Sequence, residues 1–594
     1  MSLNSVTYFG ETDFRGEKRS FGIKNEDRSR HVYVIGKTGM GKSTVLENMA
    51  AQDIQNGEGM CFIDPHGSAI DTLLDYIPEH RIKDVVYFAP FDSDYPTSFN
   101  VMEDVGPDQR HLVVSGLMSA FKKIWVDAWS ARMEHILNNT ILALLEYPGS
   151  TLLAVNRMYA DKGFREEVVN NVKDPAVKSF WNEEFAKWDE RFMREATAAI
   201  QNKVGQFTAN PLIRNIVGQA RSSFDFREAM DEQKIVLVNL SKGRIGEQNA
   251  GLLGAMIVTK IYLAAMSRAE ASKQEMANLP PFFLFVDEFQ NFANESFADI
   301  LAEARKYKLN LTIAHQYIEQ MDEEVRDAVF GNVGTTICFR VGPLDAEVME
   351  KIFLPTFDAE DIVNLGKFQT YLTLMIDGVG SKPFSATTLS PIKKKSVSYR
   401  DEVINYSRAQ YSHTRDEVQG DISGWHATVF ETAKDKKERT KKEAYLAEKA
   451  QKEKILYGDS GAPTAPAKIK IPEEVFKKVS SQENNNPPRE NFGMDSRRSR
   501  NQPPKPFNRN ISNKIATDKN KSLLKDVLAK VIQKTENKTS NFEKNNPKAE
   551  EIKENKPEPR VDVREEFKKE ERHNAEPLKK PKEVPEDILK QILE

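Results

Sequence analysis

The chain has 594 residues, enough for three or four domains of ordinary size, and its formal charge of −4 marks no chain-wide basic surface for nucleic acid. Its two cysteines, Cys61 and Cys338, sit inside apolar runs, which excludes a disulfide framework and suggests buried, reduced side chains. The opening MSLNSVTYFGETDFRGEKRS has no apolar signal core, and no run approaches the roughly 18–20 apolar residues that span a bilayer. The expected location is therefore cytoplasmic, with any membrane role peripheral and supplied by a partner.

Residues 1–30 read as a short polar lead-in. From 31 to 106 strand and helix alternate: HVYVIG (31–36), a helix over 42–56, MCFID (60–64), a helix over 68–77 and DVVYFAP (84–90). Continuous β-branched and aromatic runs between helical patterns predict a parallel sheet covered on both faces. Over 107–230 the strand signal gives way to helical periodicity such as HILNNTILALLEY (135–147), punctuated by Pro148, Gly163, Pro175 and Pro211, and an all-α inserted domain is expected. Alternation resumes over 231–393 with KIVLVNL (234–240), a helix over 247–268, FFLFVDE (282–288), a helix over 296–307, LNLTIAHQ (309–316) and TTICFRVG (335–342). Two closing strands, 368–376 and 381–389, are expected to pair around Asp377-Gly378.

Residues 394–456 form a charged helical extension, with 433–454 reading as one long solvated helix. The segment 461–594 carries 30 Lys and Arg against 23 Asp and Glu, a balance of +7, while 1–460 carries −11. Fourteen of the 28 prolines fall in 461–594, which has no Trp or Tyr. Such a composition cannot bury enough apolar surface to offset ordering entropy, so 457–594 is expected to be a disordered tail. Within it SRRSR (496–500) is a candidate non-specific DNA contact, and the amphipathic patches 522–532 and 586–593 are candidate partner-binding segments or remnants of helical propensity.

The strongest chemical signal is GKTGMGKS at 36–43, directly after one strand and before a helix. Gly36, Gly39 and Gly41 permit a tight loop whose N–H groups point at phosphate oxygens, aided by the positive end of the helix. Lys37, Thr38, Met40 and Thr44 complete the candidate phosphate-binding run, with Lys42 reaching the β/γ-phosphates and Ser43 ligating Mg²⁺. A chance match is the alternative, opposed by the strand–loop–helix context. The strand 282–286 ends in Asp287, a candidate Mg²⁺ holder, and Glu288, a candidate base for the attacking water. Carboxylates favouring a helix start would give the same pattern. Gln316 ends the next strand as a candidate γ-phosphate sensor or, alternatively, an ordinary strand cap.

Arg305, Arg340 and Arg30 are candidates for the cation that phosphoryl transfer needs, each with a surface ion pair as the alternative. Asp64 and His66 in FIDPHG invite a metal reading, but no further His or Cys lies at ligand spacing, and Asp64 is equally a turn cap. Lys242 and Arg244 in the loop SKGRIGE (241–247) are candidate DNA contacts, or simply solvated.

Taken together, VIGKTGMGKST (34–44), FIDPHG (62–67), FLFVDEFQNF (283–292), LAEARKYKLNLTIAHQ (301–316) and GTTICFRVGPLDAE (334–347) resemble the HerA–FtsK superfamily of P-loop motors. Within it, the resemblance is to the TraG/TraD type of type IV secretion coupling proteins, and it covers about 20–393. It implies a RecA-like α/β P-loop NTPase with a mostly parallel sheet, an ATP- and Mg²⁺-dependent homo-hexamer that moves DNA through a central pore. It also implies that Arg305 reaches a neighbour's site and that Arg30 lies near the nucleotide. Coupling proteins usually begin with transmembrane helices, and the repair and chromosomal motors carry a β-barrel or a DNA-reading domain. None has an evident counterpart here. The expectation is DNA transfer of the conjugative kind, with secretion-channel or relaxosome proteins as candidate partners of the tail. The alternatives are a chromosomal or repair motor, a protein-secretion or assembly ATPase, and a nucleotide-gated scaffold.

Overall fold

Apolar strand runs spaced by helical runs build one eleven-stranded sheet in the computed structural model, which describes residues 5–14, 17–103, 105–393 and 396–457. The chain opens with β1 (Val6–Phe14) and β2 (Glu17–Lys24), then β3 (Val32–Ile35), β4 (Gly59–Asp64) and β5 (Val85–Phe88). After a helical segment follow β6 (Ile235–Asn239), β7 (Phe282–Val286), β8 (Leu309–His315), β9 (Thr335–Cys338) and β10 (Gln369–Thr373). A two-residue pair, β11 (Met375–Ile376) with β12 (Val379–Gly380), turns at Asp377-Gly378, and β13 (Phe384–Thr388) returns against β10. The spatial order is β2-β1-β13-β10-β9-β3-β8-β7-β4-β6-β5.

The seven strands from β9 to β5 pair in parallel, and the four at the other edge are antiparallel. Burial follows the pairing. Every residue of β3, β4, β6, β7 and β8 is buried, whereas β10 and β13 alternate buried with half-buried or exposed positions. Parallel strands covered on both faces need apolar side chains at every position, and a one-sided antiparallel edge needs them at every second. On one face, Val32, Val34, Phe62, Phe283 and Phe285 pack with helix α1 (Lys42–Asn56) and helix α2 (Ser68–Leu74).

The opposite face shares one continuous core with the helical insertion. Ile35, Ile63, Val238, Leu284 and Ile313 join the same cluster as Phe121, Leu137, Phe164 and Phe207. Within 107–230 the described residues form helices and no strand. Sequence punctuation here marks starts as much as stops. Pro175 and Pro211 take the first helical position behind the capping side chains of Asp174 and Asn210.

Three expectations need correction. Residues 1–30 are not merely a polar lead-in: β1 and β2 form a hairpin, and β1 adds to the sheet beside β13, with Gly10 opposite Thr388. The segment 241–247 contains one helical turn, Lys242–Ile245, where a loop was expected. One helix, Glu247–Glu270, is in fact long and apolar enough to cross a membrane, with mean hydropathy 1.6. Its window is 72% buried, it packs along the helix Arg110–Ile124, and its apolar side chains belong to the core shared with the sheet.

Beyond the sheet, the helix Arg400–Tyr411 packs across the open edge of β5, where Ser407 Oγ accepts the Tyr87 N–H at 2.8 Å. Covering an edge in this way hinders its pairing with a strand of another chain. The helix Ala433–Tyr457 is exposed over 433–452. Cys61 and Cys338 are free and buried. The expected disordered tail, with SRRSR (496–500) and the patches 522–532 and 586–593, lies outside the described residues beyond 457.

Candidate nucleotide site

The loop between β3 and α1 leaves the sheet at the carboxyl ends of the parallel strands, where α/β sheets bind ligands. Gly36 is required by close approach, since a Cβ there would sit 2.5 Å from Phe339 Cβ. Gly41 has φ +123 and directly precedes α1, whose N-terminus has no side-chain cap. The first-turn N–H groups of α1 therefore face the cleft as donors for an anion. Lys42 is 5% exposed and folds back, Nζ donating to Gly36 O at 2.8 Å. Burial lowers the Lys42 pKa, opposed by the Glu288 and Asp287 carboxylates.

The acidic pair arrives from β7, which is separated from β3 by β8. The strands are not neighbours, yet the groups meet: Ser43 Oγ donates to Asp287 Oδ2 at 2.8 Å. Asp287 Oδ1 accepts the Glu288 N–H at 2.9 Å, bracing Glu288 in a left-handed conformation at φ +46. Non-glycine residues held there mark backbone over-determined by its surroundings, a frequent property of functional sites. Burial pushes the Asp287 carboxyl up to about 6, with nearby Asp64 and Glu288 adding to the rise.

Gln316, one residue past β8, ties the three strands together. Its Nε2 donates to Thr38 Oγ1 at 2.7 Å and to Glu288 Oε1 at 3.0 Å. The other Glu288 oxygen accepts Gln290 Nε2 at 2.6 Å, and Lys42 Nζ stands 4.0 Å from Oε1. A cleft of about 660 Å³ opens over this cluster, and its lining includes Lys42, Ser43, His66, Lys242, Gln290 and Phe368.

Mg²⁺ prefers hard oxygen ligands in an octahedral set. The Ser43 hydroxyl and the Asp287 carboxylate fit that demand, being in contact with each other and carrying a buried negative charge that a cation would relieve. Asp64 fits a cap. It accepts the N–H groups of His66 at 2.7 Å and Ala69 at 2.8 Å at the start of α2. Among the described residues no group of three His, Cys, Asp or Glu is placed to hold a metal.

The arginines divide. Arg340 follows β9 at the loop's own edge, where its carbonyl accepts the Lys37 N–H at 2.9 Å. Arg30 precedes β3, and Arg305 precedes β8, so both lie at the amino ends of the parallel strands. β3 carries the backbone across the sheet between Arg30 and the loop, and Arg30 does not line this chain's cleft, so the expectation that it lies near the nucleotide could be met only at a neighbour's site. Arg305 is exposed, and neither Arg30 nor Arg305 makes a side-chain hydrogen bond or ion pair among the described residues.

Sequence reasoning missed Gln290, Lys367 and Phe368, all of which line the cleft. Gln290 lay two residues beyond the acidic pair. Nothing near Phe368 in the sequence signals its place. Lys242, considered for DNA, instead borders the cleft, 3.9 Å from Glu247, while Arg244 stacks on the Phe91 ring at 3.5 Å.

Comparison with known proteins adds an independent finding. Among solved structures, the unbound bacterial conjugative coupling protein TrwBdeltaN70 aligns at 14% identity over 66% of this chain and 89% of its own, with a TM-score of 0.47. The plasmid coupling protein TrwB with a non-hydrolysable ATP analogue aligns at 13% over 67% and 98%, TM-score 0.47. VirB4 of Thermoanaerobacter pseudethanolicus aligns at 15% over 67% and 98%, TM-score 0.43. No curated protein matches the chain. Residues 20–365, more than half of the sequence, match the type IV secretion-system coupling protein DNA-binding domain, and the chain belongs to that family.

Proposed function

We propose that the chain is an ATPase that couples hydrolysis to movement of DNA in type IV secretion of the conjugative kind, working as a homo-hexameric ring around a central pore. The carrying observation is the contact of Ser43 with Asp287 beside Glu288, at the foot of a cleft floored by the glycine loop. In this reading the backbone of 36–44 and Lys42 bind the phosphates, while Ser43 and Asp287 hold Mg²⁺. The metal supplies neutralisation of phosphate charge. Glu288 orients the attacking water and takes its proton, Gln316 senses the γ-phosphate between Thr38 and Glu288, and Arg340 supports the loop from its own subunit.

Arg305 acts on a neighbour's nucleotide. Seven residues of β8 put about 20 Å between it and its own loop, so a single subunit cannot use it. Arg30 belongs to the same outward-facing edge. In terms of organisation, the β1–β2 hairpin joins 31–106 and 231–393 as the ATPase unit, with 107–230 inserted and 394–456 appended. Work is done on the cytoplasmic side, with channel or relaxosome proteins as partners.

ATP turnover of the purified chain, measured with and without single- and double-stranded DNA, tests the proposal. A several-fold rise with DNA is expected, and Lys42→Ala should remove turnover altogether. A response to a protein partner but none to DNA would overturn the DNA assignment.

A further inference from the structure

Phe368 is an apolar residue whose local conformation disfavours it. It has φ +66, a region that a bulky side chain rarely enters, and it is 37% exposed. The backbone is pinned from both sides. Its N–H donates to Met40 O of the glycine loop at 3.2 Å, and its carbonyl accepts Thr388 N at 2.9 Å and Thr388 Oγ1 at 3.4 Å. The ring rests on the loop itself: a Cβ on Gly41 would meet Phe368 Cδ1 at 2.9 Å. Core packing does not explain this placement. Phe339 fills the space beneath Gly36 and Gly41 and is fully buried, whereas Phe368 lines the open cleft beside it. Lys367 Nζ lies 4.8 Å from the ring centroid, and Lys367 also lines the cleft.

From this geometry we propose that Phe368 is the seat of the nucleobase: its ring stacks on the base of the nucleoside triphosphate whose phosphates occupy the glycine loop. The inference rests on the nucleotide-binding reading of the cleft and adds a residue outside the phosphate-binding motifs. The chemistry suits the position. An aromatic face recognises any base by its π surface, and holding the ring rigid in advance lowers the entropy lost on stacking. Strained backbone persists where the surrounding structure over-determines it, as the bonds to Met40 and Thr388 do here. The segment also links base to loop directly, because the residue that meets the base donates its own N–H to Met40 O.

Calorimetric titration of the full chain in Mg²⁺ with ATP, and separately with inorganic tripolyphosphate, distinguishes a base seat from a loop prop. Phe368→Ala should weaken ATP on the order of tenfold while leaving tripolyphosphate unchanged, and Phe368→Trp should restore ATP binding. Equal losses for both ligands would mean that the ring only braces the loop, and an unchanged ATP affinity would mean that it meets no base. Either result overturns the proposal. If wild type bound neither ligand, or if Lys42→Ala bound both as wild type does, the nucleotide reading of the cleft itself would fall, a result separate from any effect at Phe368.

Discussion

The two ends of the parallel strands are chemically unlike. At the carboxyl ends, charged and polar groups satisfy one another: Lys42 bonds Gly36, Ser43 bonds Asp287, and both oxygens of Glu288 accept amide donors. At the amino ends, Arg30 and Arg305 flank the buried His31, and neither guanidinium has a side-chain partner among the described residues. One end gathers phosphate, metal and water-activating candidates within a single chain. The other presents cations with nothing of their own to act on. Under the proposed ring, a sheet with a cleft at one end and, among the described residues, arginines without side-chain partners at the other would let subunits stack head to tail, each chain's arginine completing the next chain's cleft.

Arg305→Ala is the sharpest way to break this contrast. If the arginine completes a neighbour's cleft, turnover should fall about a thousandfold or more while ATP binding persists. Mixing Arg305→Ala with Glu288→Gln subunits should restore part of the activity, because some interfaces then pair an intact arginine with an intact glutamate. Normal turnover by Arg305→Ala, or no rescue on mixing, would leave the amino-terminal edge without a catalytic part.

The two ends also differed in how legible they were. The loop and the acidic pair could be read because each is a local run, a strand, a turn and a helix within about ten residues, and local runs carry their own periodicity. The contact between them was an inference about pairing order, and the actual order places β8 between their strands. The edge that Arg30 occupies was hidden for a related reason. Twelve residues before Lys42 is near in sequence, yet a strand intervenes and carries the chain to the opposite edge. The β1–β2 hairpin escaped notice because only Phe9, Phe21 and Ile23 among its described apolar side chains bury deeply, and the strand that receives it, β13, comes more than 360 residues later. Phe368 is hidden in the same way: its position depends on Met40 and Thr388, which no window around it contains.

A second test asks whether that hairpin is integral to the sheet. Arg28, just after β2, makes a bidentate pair with Asp53 of α1, at 2.7 and 2.8 Å, and also bonds Thr7 Oγ1 of β1. Both partners are essentially inaccessible, at 1% and 0% exposed, and the guanidinium lies 3.7 Å from the Phe283 ring centre. Burial raises the Asp53 pKa even against the attraction of Arg28, so the carboxylate depends on its partner to stay charged. Removing one member strands the other without solvent. Asp53→Ala should therefore cost about 3–5 kcal/mol in denaturant unfolding, and Thr7→Ala, which removes one acceptor from the buried guanidinium, about 1.5–3 kcal/mol. A loss under about 1 kcal/mol for Asp53→Ala would show that the hairpin and α1 are only loosely joined.

The smallest expected effect probes the amino-terminal edge itself. His31 Nδ1 accepts the Leu311 N–H at 3.1 Å, so its Nε2, 3.2 Å from Leu301 O, must carry the proton that donates there. Both ring positions are satisfied in the neutral form, and a second proton on Nδ1 would confront an N–H. Burial lowers the His31 pKa to about 4, with Arg305 adding to the fall. An unfolded histidine takes up its proton near pH 6.5, so the unfolded state binds more protons between that pH and about 4. The stabilisation is thus present above pH 6.5 and is lost as pH drops towards 4. His315, lowered to about 3 by burial with Lys42 and Lys123 contributing, moves in the same direction, whereas Asp287, raised to about 6, moves in the opposite one. Comparison of His31→Asn with wild type cancels both. Urea unfolding at pH 7 and pH 4.5 should show the variant losing about 2–3 kcal/mol less than wild type over that interval. Equal losses would mean that His31 charges freely in the folded chain. The edge holding Arg30 and Arg305 would then tolerate a third cation, contrary to the burial and the hydrogen bonds that hold the ring neutral.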